Sequence, residues 1–459
     1  MIKKIILIII FTLIYSTSWA TDYYVRPASG EYGGEDGLSY ATAYDGESDI
    51  VWADVDSGDG KLFICGTHYQ TFDVNVSGED GTPIQLVSCT IANGASADDP
   101  GIIDGGGSRQ IAINISSRSY ITIDGISTQN HSNGGGVCAI YAATSGSVTS
   151  NITISNVSVV EANQSGLFLS ANDSLVENST FDVGSGSPSG VTDAVFITWA
   201  SSTDHGQRIT VNGNIIIQRN NYVSYHHDAI QTRALTDFVL KNNFIQSVNG
   251  NVNSQTAMIE DHFGTLHIYN NIFVHNTNGN FDGMQLYTNG GATDWTASTY
   301  IWNNVFYNPK DDTYSAALTI NNIEPPVLEI KNNIFISEER YAIRIGSSAV
   351  IPEKTDIVYN CLYSGYADIA HDGSDAFNWS EWVAEGYDAT GSINADPSLD
   401  ANYAPDAADD PVVNAGTDVG TIYGINPNST WPDAITFLAQ DDYGLWEIGA
   451  YVYVSAYFP

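Results

Sequence analysis

Lys241-Asn242-Asn243-Phe244-Ile245, Tyr269-Asn270-Asn271-Ile272-Phe273, Trp302-Asn303-Asn304-Val305-Phe306 and Lys331-Asn332-Asn333-Ile334-Phe335 are four copies of one phrase. In each, an asparagine pair runs into two apolar residues. Looser copies stand at Asn156-Val157, Asn214-Ile215 and Asn360-Cys361. The strict copies lie roughly 28–33 residues apart, a period that signals stacked units. The segments between them are short and alternate apolar with polar residues, so the units are coils of a β-solenoid rather than helical repeats. An asparagine at a fixed corner of each coil accounts for the phrase. Its side chain tolerates the left-handed conformation, and stacked amides hydrogen-bond along the column.

Working outward from these corners, a second strand can be aligned in each coil. Its expected inward pairs include Val195 and Ile197, Ile230 and Thr232, Met258 and Glu260, and Met284 and Leu286. Alternation then turns Phe196, Gln231, Ile259 and Gln285 outward. Arg233, Asp261 and Tyr287 follow two residues later on the same face. A slip of one residue would invert the faces of a coil. The pattern runs from about Lys61 to residue 365. Residues 21–60 are placed to cap the first coil, and residues 366–459 read as a C-terminal cap and tail.

The chain has 459 residues, with 15 Lys and Arg against 53 Asp and Glu, a formal net charge of −38. Such a charge excludes nucleic acid and anionic membrane surfaces as partners. Residues 1–20 read as a secretory signal peptide: Lys3 and Lys4, an apolar run from Ile5 to Tyr15, then Ser18-Trp19-Ala20. The run is too short to span a bilayer. Thr21 is therefore the expected mature start, and an extracellular or periplasmic location follows. Cys65 and Cys89 end two similar strands and are expected to pair across adjacent coils in an oxidising exterior. Cys138 and Cys361 read as small buried apolar residues.

Several stretches together resemble secreted bacterial right-handed parallel β-helix proteins, the pectin-lyase-like superfamily. They are Tyr23-Tyr24-Val25 with Gly37-Leu38-Ser39-Tyr40-Ala41-Thr42-Ala43, then Leu62-Phe63-Ile64-Cys65-Gly66-Thr67-His68-Tyr69, then the asparagine phrases. Asn394-Ala395-Asp396-Pro397 and Glu447-Ile448-Gly449-Ala450-Tyr451 fit the endings of that family. The resemblance implies an all-β right-handed parallel β-helix with a cap at each end. It also implies an activity on polysaccharides, as lyase or hydrolase. It does not fix the reaction, because the polygalacturonase and pectate lyase signatures are absent and one scaffold hosts many chemistries.

Candidate chemistry concentrates between residues 190 and 290. Tyr225-His226-His227-Asp228-Ala229-Ile230-Gln231-Thr232-Arg233 is its densest run, matched two coils on by Phe281-Asp282-Gly283-Met284-Gln285-Leu286-Tyr287. Asp193, Asp228, Thr256 and Asp282 are expected in one column, on coils about 4.8 Å apart. A lyase on an acidic polysaccharide, the favoured reading, needs a uronate carboxylate neutralised by Arg233 or by Ca²⁺. It also needs a base, drawn from His226, His227, His262 and Tyr287. A glycoside hydrolase would use two of Asp193, Asp228, Asp261 and Asp282. Asp193, Asp228 and Asp282 are the candidate ligands for Ca²⁺, an oxygen-seeking ion. Gln231, Gln285, Trp199 and Trp295 are the candidate sugar-binding residues. Against these stand plainer roles, with the aspartates capping turns and Arg233 pairing with Asp261. A non-catalytic glycan-binding or adhesin solenoid is the third reading.

Overall fold

The computed structural model describes residues 21–55, 60–131, 138–143, 149–162, 165–184, 193–198, 206–219, 227–248, 255–276, 282–289, 295–308, 316–338, 340–420, 424–426, 436–438 and 445–453. The expected signal peptide lies outside them.

Each coil supplies one strand to each of three walls. Among the described residues the walls are sheets of 14, 11 and 12 strands, parallel except where Ala376–Phe377 closes the third sheet antiparallel, and the whole is a right-handed parallel β-helix. In the middle of the stack, Leu235–Lys241, Phe263–Tyr269 and Ser298–Trp302 belong to the first sheet. Phe244–Val248, Ile272–Asn276 and Val305–Asn308 belong to the second. Ile230–Arg233, Ala257–Glu260 and Met284–Tyr287 belong to the third.

The asparagine pair forms the corner between the first and second sheets, and its two members divide the work. The first member takes the left-handed turn, with φ of 57° at Asn242, 54° at Asn270, 53° at Asn303 and 58° at Asn332. The second builds a buried ladder. The backbone N–H groups of Asn214, Asn243, Asn271, Asn304 and Asn333 each donate to the side-chain oxygen of the asparagine one coil later, at 2.9–3.0 Å. Each amide NH₂ also donates to that same oxygen and to a backbone carbonyl of the preceding coil, as Asn304 does to Ile268 at 2.9 Å. Buried polar groups cost little when fully paired in this way.

The two apolar residues after the pair point in opposite directions, as strand geometry requires. Ile245, Phe273, Phe306 and Phe335 point into the core, where the last three rings stack at 4.8 and 4.9 Å. Ile272, Val305 and Ile334 point outward, yet they too are buried. The chain beyond the last coil folds back over the outer face of the second sheet and covers them with Ala404, Val412, Ile425, Ile448, Ala450 and Tyr451. The phrase is apolar on both faces because both faces of this wall are covered.

At the N-terminal end, Tyr23–Arg26 pairs with Lys61–Ile64 and so already belongs to the first sheet. Helix α1 (Trp52–Val55) buries Trp52 and Val55 against the core. Lys61–Ile64 and Ile84–Ser88 lie on adjacent coils, and a disulfide joins Cys65 to Cys89 just beyond them. Cys138 and Cys361 are buried thiols. At the other end, helix α2 (Trp379–Ala384) starts with an Asn378–Glu381 capping box and buries Trp382, whose indole N–H donates to Asp388 at 2.9 Å.

The third sheet corrects one part of the sequence alignment. Ile230 pairs with Ala257, Gln231 with Met258, Thr232 with Ile259 and Arg233 with Glu260. The coil of residues 255–261 therefore sits one residue away from the expected register. Ala257 and Ile259 face the core, whereas Met258 and Glu260 face outward. In Ala257-Met258-Ile259-Glu260 three consecutive residues are apolar, so alternation alone does not choose a face. Gln255, not Thr256, occupies the column of Asp228 and Asp282.

Candidate active face on the third sheet

The column entering the third sheet is Asp193, Asp228, Gln255 and Asp282. These side chains are buried, and each aspartate accepts a backbone N–H from the next coil. Asp228 donates to Asp193 at 2.8 Å, Gln255 to Asp228 at 2.8 Å and Ala316 to Asp282 at 2.9 Å. Complete burial pushes the carboxyl of Asp228 well above the ordinary range, opposed by the Gln255 hydrogen bond and reinforced by the nearby Glu260 charge. The turn-capping role is the one their geometry displays. Among the described residues no group of three acidic, histidine or cysteine side chains is placed to hold a metal ion.

Two further expected site residues belong to the interior. His262 is fully buried, within 2.9 Å of the Thr232 hydroxyl and between the rings of Phe238 and Trp295. Burial pulls its imidazole down to about 3, so it is neutral in ordinary buffers. Trp295, expected as a surface sugar platform, is 1% exposed and donates its indole N–H to Thr299. Its large apolar ring fills the space beside His262 instead of facing solvent. His227 is buried as well. His226 and Trp199 lie outside the described residues.

What the third sheet does bring together is a compact polar patch on its outward face. One outward column runs Tyr141, Phe168, Phe196, Gln231, Met258, Gln285 and Thr319. Its aromatic members pack in sequence, with ring centroids 5.4 and 5.1 Å apart. The second column runs Arg233, Glu260, Tyr287 and Asn321. Arg233 approaches Glu260 and Asp261 through Nε, at 3.7 Å in each case. The Arg233 side chain is 38% exposed, against 6% for Glu260 and 14% for Asp261. The guanidinium thus lies over two more deeply set carboxylates.

Neighbouring groups hold this arrangement. Asp261 sits at a left-handed corner with φ of 53° and accepts the Asn289 N–H at 3.0 Å. The Gln231 amide donates to Glu260 at 3.4 Å, and Gln255 donates to the Gln285 carbonyl oxygen at 2.9 Å. The structure therefore unites Gln231, Arg233, Asp261, Gln285 and Tyr287, and adds Glu260 and Gln255. Glu260 escaped the sequence reading because of the register slip. The signal was present: an ionised carboxylate facing an apolar core would be costly, which argues for turning the strand over.

No family model matches the chain, and no curated protein matches it in sequence. Among solved structures, a pectate lyase aligns over 95% of this chain and 98% of its own, at 13% identity and a TM-score of 0.43. XylC, solved with xylose, aligns over 79% of each chain at 8% identity and a TM-score of 0.43. PfbA, a surface adhesin of Streptococcus pneumoniae, aligns over 86% of this chain and 95% of its own at 10% identity and a TM-score of 0.32. Identities this low transfer no residue role.

Proposed function

We propose that the protein cleaves an acidic polysaccharide by β-elimination on the outward face of the third sheet. The observation that carries this reading is the Arg233–Glu260–Tyr287 column. Arg233 meets its two carboxylates through Nε, which leaves the fork of terminal nitrogens for a planar carboxylate. A guanidinium fork binds such a group bidentately. Glu260 and Asp261 keep the guanidinium oriented. Gln231 and Gln285 are amides suited to sugar hydroxyls, and the Tyr141–Phe168–Phe196 rings extend the floor for sugar faces.

The chemistry follows from these places. A uronate carboxylate paired with Arg233 makes the proton on its α-carbon more acidic. Tyr287, two coils along the same column, is the base that takes that proton. The electron pair forms the new double bond, the bond from the β-carbon to the glycosidic oxygen breaks, and that oxygen takes a proton from water. With His262 and His227 buried, Tyr287 is the one base candidate of the four that the described residues place on this face. The carriage to an extracellular substrate follows from the expected signal peptide.

A hydrolytic reading is favoured by one specific observation, the two carboxylates of Glu260 and Asp261 beside each other under Arg233. The test separates them. The protein is incubated with alginate, polygalacturonate and chondroitin, and with neutral xylan, arabinan and galactan. Absorbance of unsaturated ends is followed beside reducing ends. Both signals rising on an acidic polymer, and lost in Tyr287→Phe, support the elimination. Reducing ends alone, lost in Glu260→Gln, transfer the assignment to hydrolysis. Silence on every polymer refutes both.

A further inference from the structure

A cleft lies on a different wall of the molecule. It opens between the outer face of the second sheet and the returning C-terminal chain, with a volume of about 600 Å³. That is within the range of small-ligand sites. One side of it is the solenoid: Tyr307, Ile336 and Tyr363 occupy one outward column on three successive coils. The opposite side is the tail, which contributes Asp396, Leu399, Asp400 and Tyr403. Glu338 closes the sheet side and accepts the Tyr307 hydroxyl at 3.2 Å.

We propose that this cleft is a binding site for a short neutral oligosaccharide, separate from the face of the third sheet. Two features carry it. First, aromatic rings line it from both sides, and the Tyr307 and Tyr403 rings meet at 5.4 Å and 53°. Rings set in this way offer rigid apolar surface to the C–H face of a sugar. Second, among the described residues every charged side chain lining it is a carboxylate: Glu338, Asp396 and Asp400. Carboxylates accept hydrogen bonds from paired hydroxyls and repel a uronate or sulfated sugar.

The walls are fixed in advance of any ligand. Asp400 accepts the N–H groups of Asn402 and Ala404, at 2.7 and 3.0 Å, and Asp396 accepts that of Ser398 at 2.9 Å. These bonds hold the loop that presents Tyr403. Tyr403 itself has a φ of 66°, a conformation uncommon for a bulky side chain. Burial pushes the Tyr307 phenol up to about 12, with the Glu338 charge adding to the effect, so it serves as a hydroxyl donor at every working pH.

The cleft is open to test without any cleavage activity. Saturation-transfer NMR and calorimetry are run with xylotetraose, cellotetraose, mannotetraose and maltotetraose, and with tetragalacturonate. The expected result is binding of at least one neutral tetraose. Asp396→Asn should weaken it ten-fold or more with unchanged melting, and Tyr403→Asn ten-fold or more with a small fall in melting temperature, since its ring also packs against the second sheet. Asparagine suits the left-handed position, so the second variant removes the ring without new backbone strain. Arg233→Ala should leave this binding intact. Silence of all four neutral sugars overturns the proposal. So does binding that the cleft variants do not change, or tetragalacturonate binding that they abolish. Loss of polysaccharide cleavage in Arg233→Ala with sugar binding retained would show that the two sites stand or fall separately.

Discussion

Two corners of the same coil solve one problem with different chemistry. At the corner between the first and second sheets, an asparagine column satisfies the buried backbone. At the corner entering the third sheet, Asp193, Asp228 and Asp282 do so. An amide both donates and accepts, so each asparagine takes a backbone N–H and passes its own NH₂ to the next side chain and to a carbonyl. A carboxylate only accepts when ionised. Each member of the aspartate column accepts a backbone N–H from the next coil, and the column is interrupted by Gln255. The amide ladder is neutral at every pH. The aspartate corner is titratable, and its neighbours are too: His275 lies 3.1 Å from Thr256 and His262 lies 2.9 Å from Thr232. The uniform corner is a repeat without chemistry, while the irregular one borders the candidate active face.

The largest expected effect is on that face. Arg233→Ala should lower cleavage of the acidic polymer a hundred-fold or more, since one oriented charge-stabilising donor is worth about 3–4 kcal/mol in a transition state. Its effect on folding should be smaller, about 1–2 kcal/mol, because the guanidinium is part-exposed while the Glu260 and Asp261 carboxylates it covers are deeply set and lose their cation. Kinetics on the polymer and urea unfolding measure the two. A comparable loss of stability would make Arg233 a structural pair only.

Next, the two corners should differ when broken. Asn304→Ala removes bonds to Asn271, Ile268, Trp302 and Asn333 and should cost about 4 kcal/mol, from several buried groups left unpaired. Asp282→Ala leaves the Ala316 N–H without its acceptor and should cost less, about 1–3 kcal/mol, by the same principle. Equal losses in urea unfolding would erase the distinction drawn between amide and carboxylate columns.

Acid should then find the titratable corner first. Burial lowers His262 to about 3 and His275 to about 4. The unfolded chain takes up these protons near pH 6.5 and the folded chain does not. The stability they protect is present above about 6.5 and falls as pH drops toward their folded values. Hydrogen exchange from pH 7 to pH 4.5 should show protection fading around Thr232 and Thr256 before it fades around Asn271 and Asn304. The reverse order would contradict the assignment.

The smallest effect concerns Asp228. Its folded carboxyl is raised, so its contribution is present below the ordinary carboxylate range and is lost as pH rises. Asp228→Asn keeps an acceptor oxygen for the Gln255 N–H and has no proton to lose. Its stability relative to the parent should therefore grow with pH. A flat difference between pH 4 and pH 8 in thermal unfolding would refute this.

How far the sequence could be read differs between the corners for the same reason. Asn242-Asn243 and its copies recur because every coil needs the same turn and the same amide, so period and chemistry were visible together. The outward face, with Gln231 and Gln285 in one column and Arg233 and Tyr287 in the other, was legible where polar residues alternate with apolar ones. It failed at Glu260, where Met258 and Ile259 are both apolar and Thr256 mimics the corner residue. Trp295 and His262 were misread because polarity and aromaticity suit a surface and an interior equally. Only the packing around them shows which.

The sequence alone determined a stacked β architecture, its asparagine corner and the coils richest in candidate chemistry, because these are local requirements repeated along the chain. The tertiary structure alone decided which way the 255–261 coil faces. It also decided that the aspartates cap turns inside the wall, and that Ala404, Val412, Ile425, Ile448, Ala450 and Tyr451 return to cover the second sheet. Those outcomes depend on neighbours one coil or a hundred residues away, and no local period encodes them.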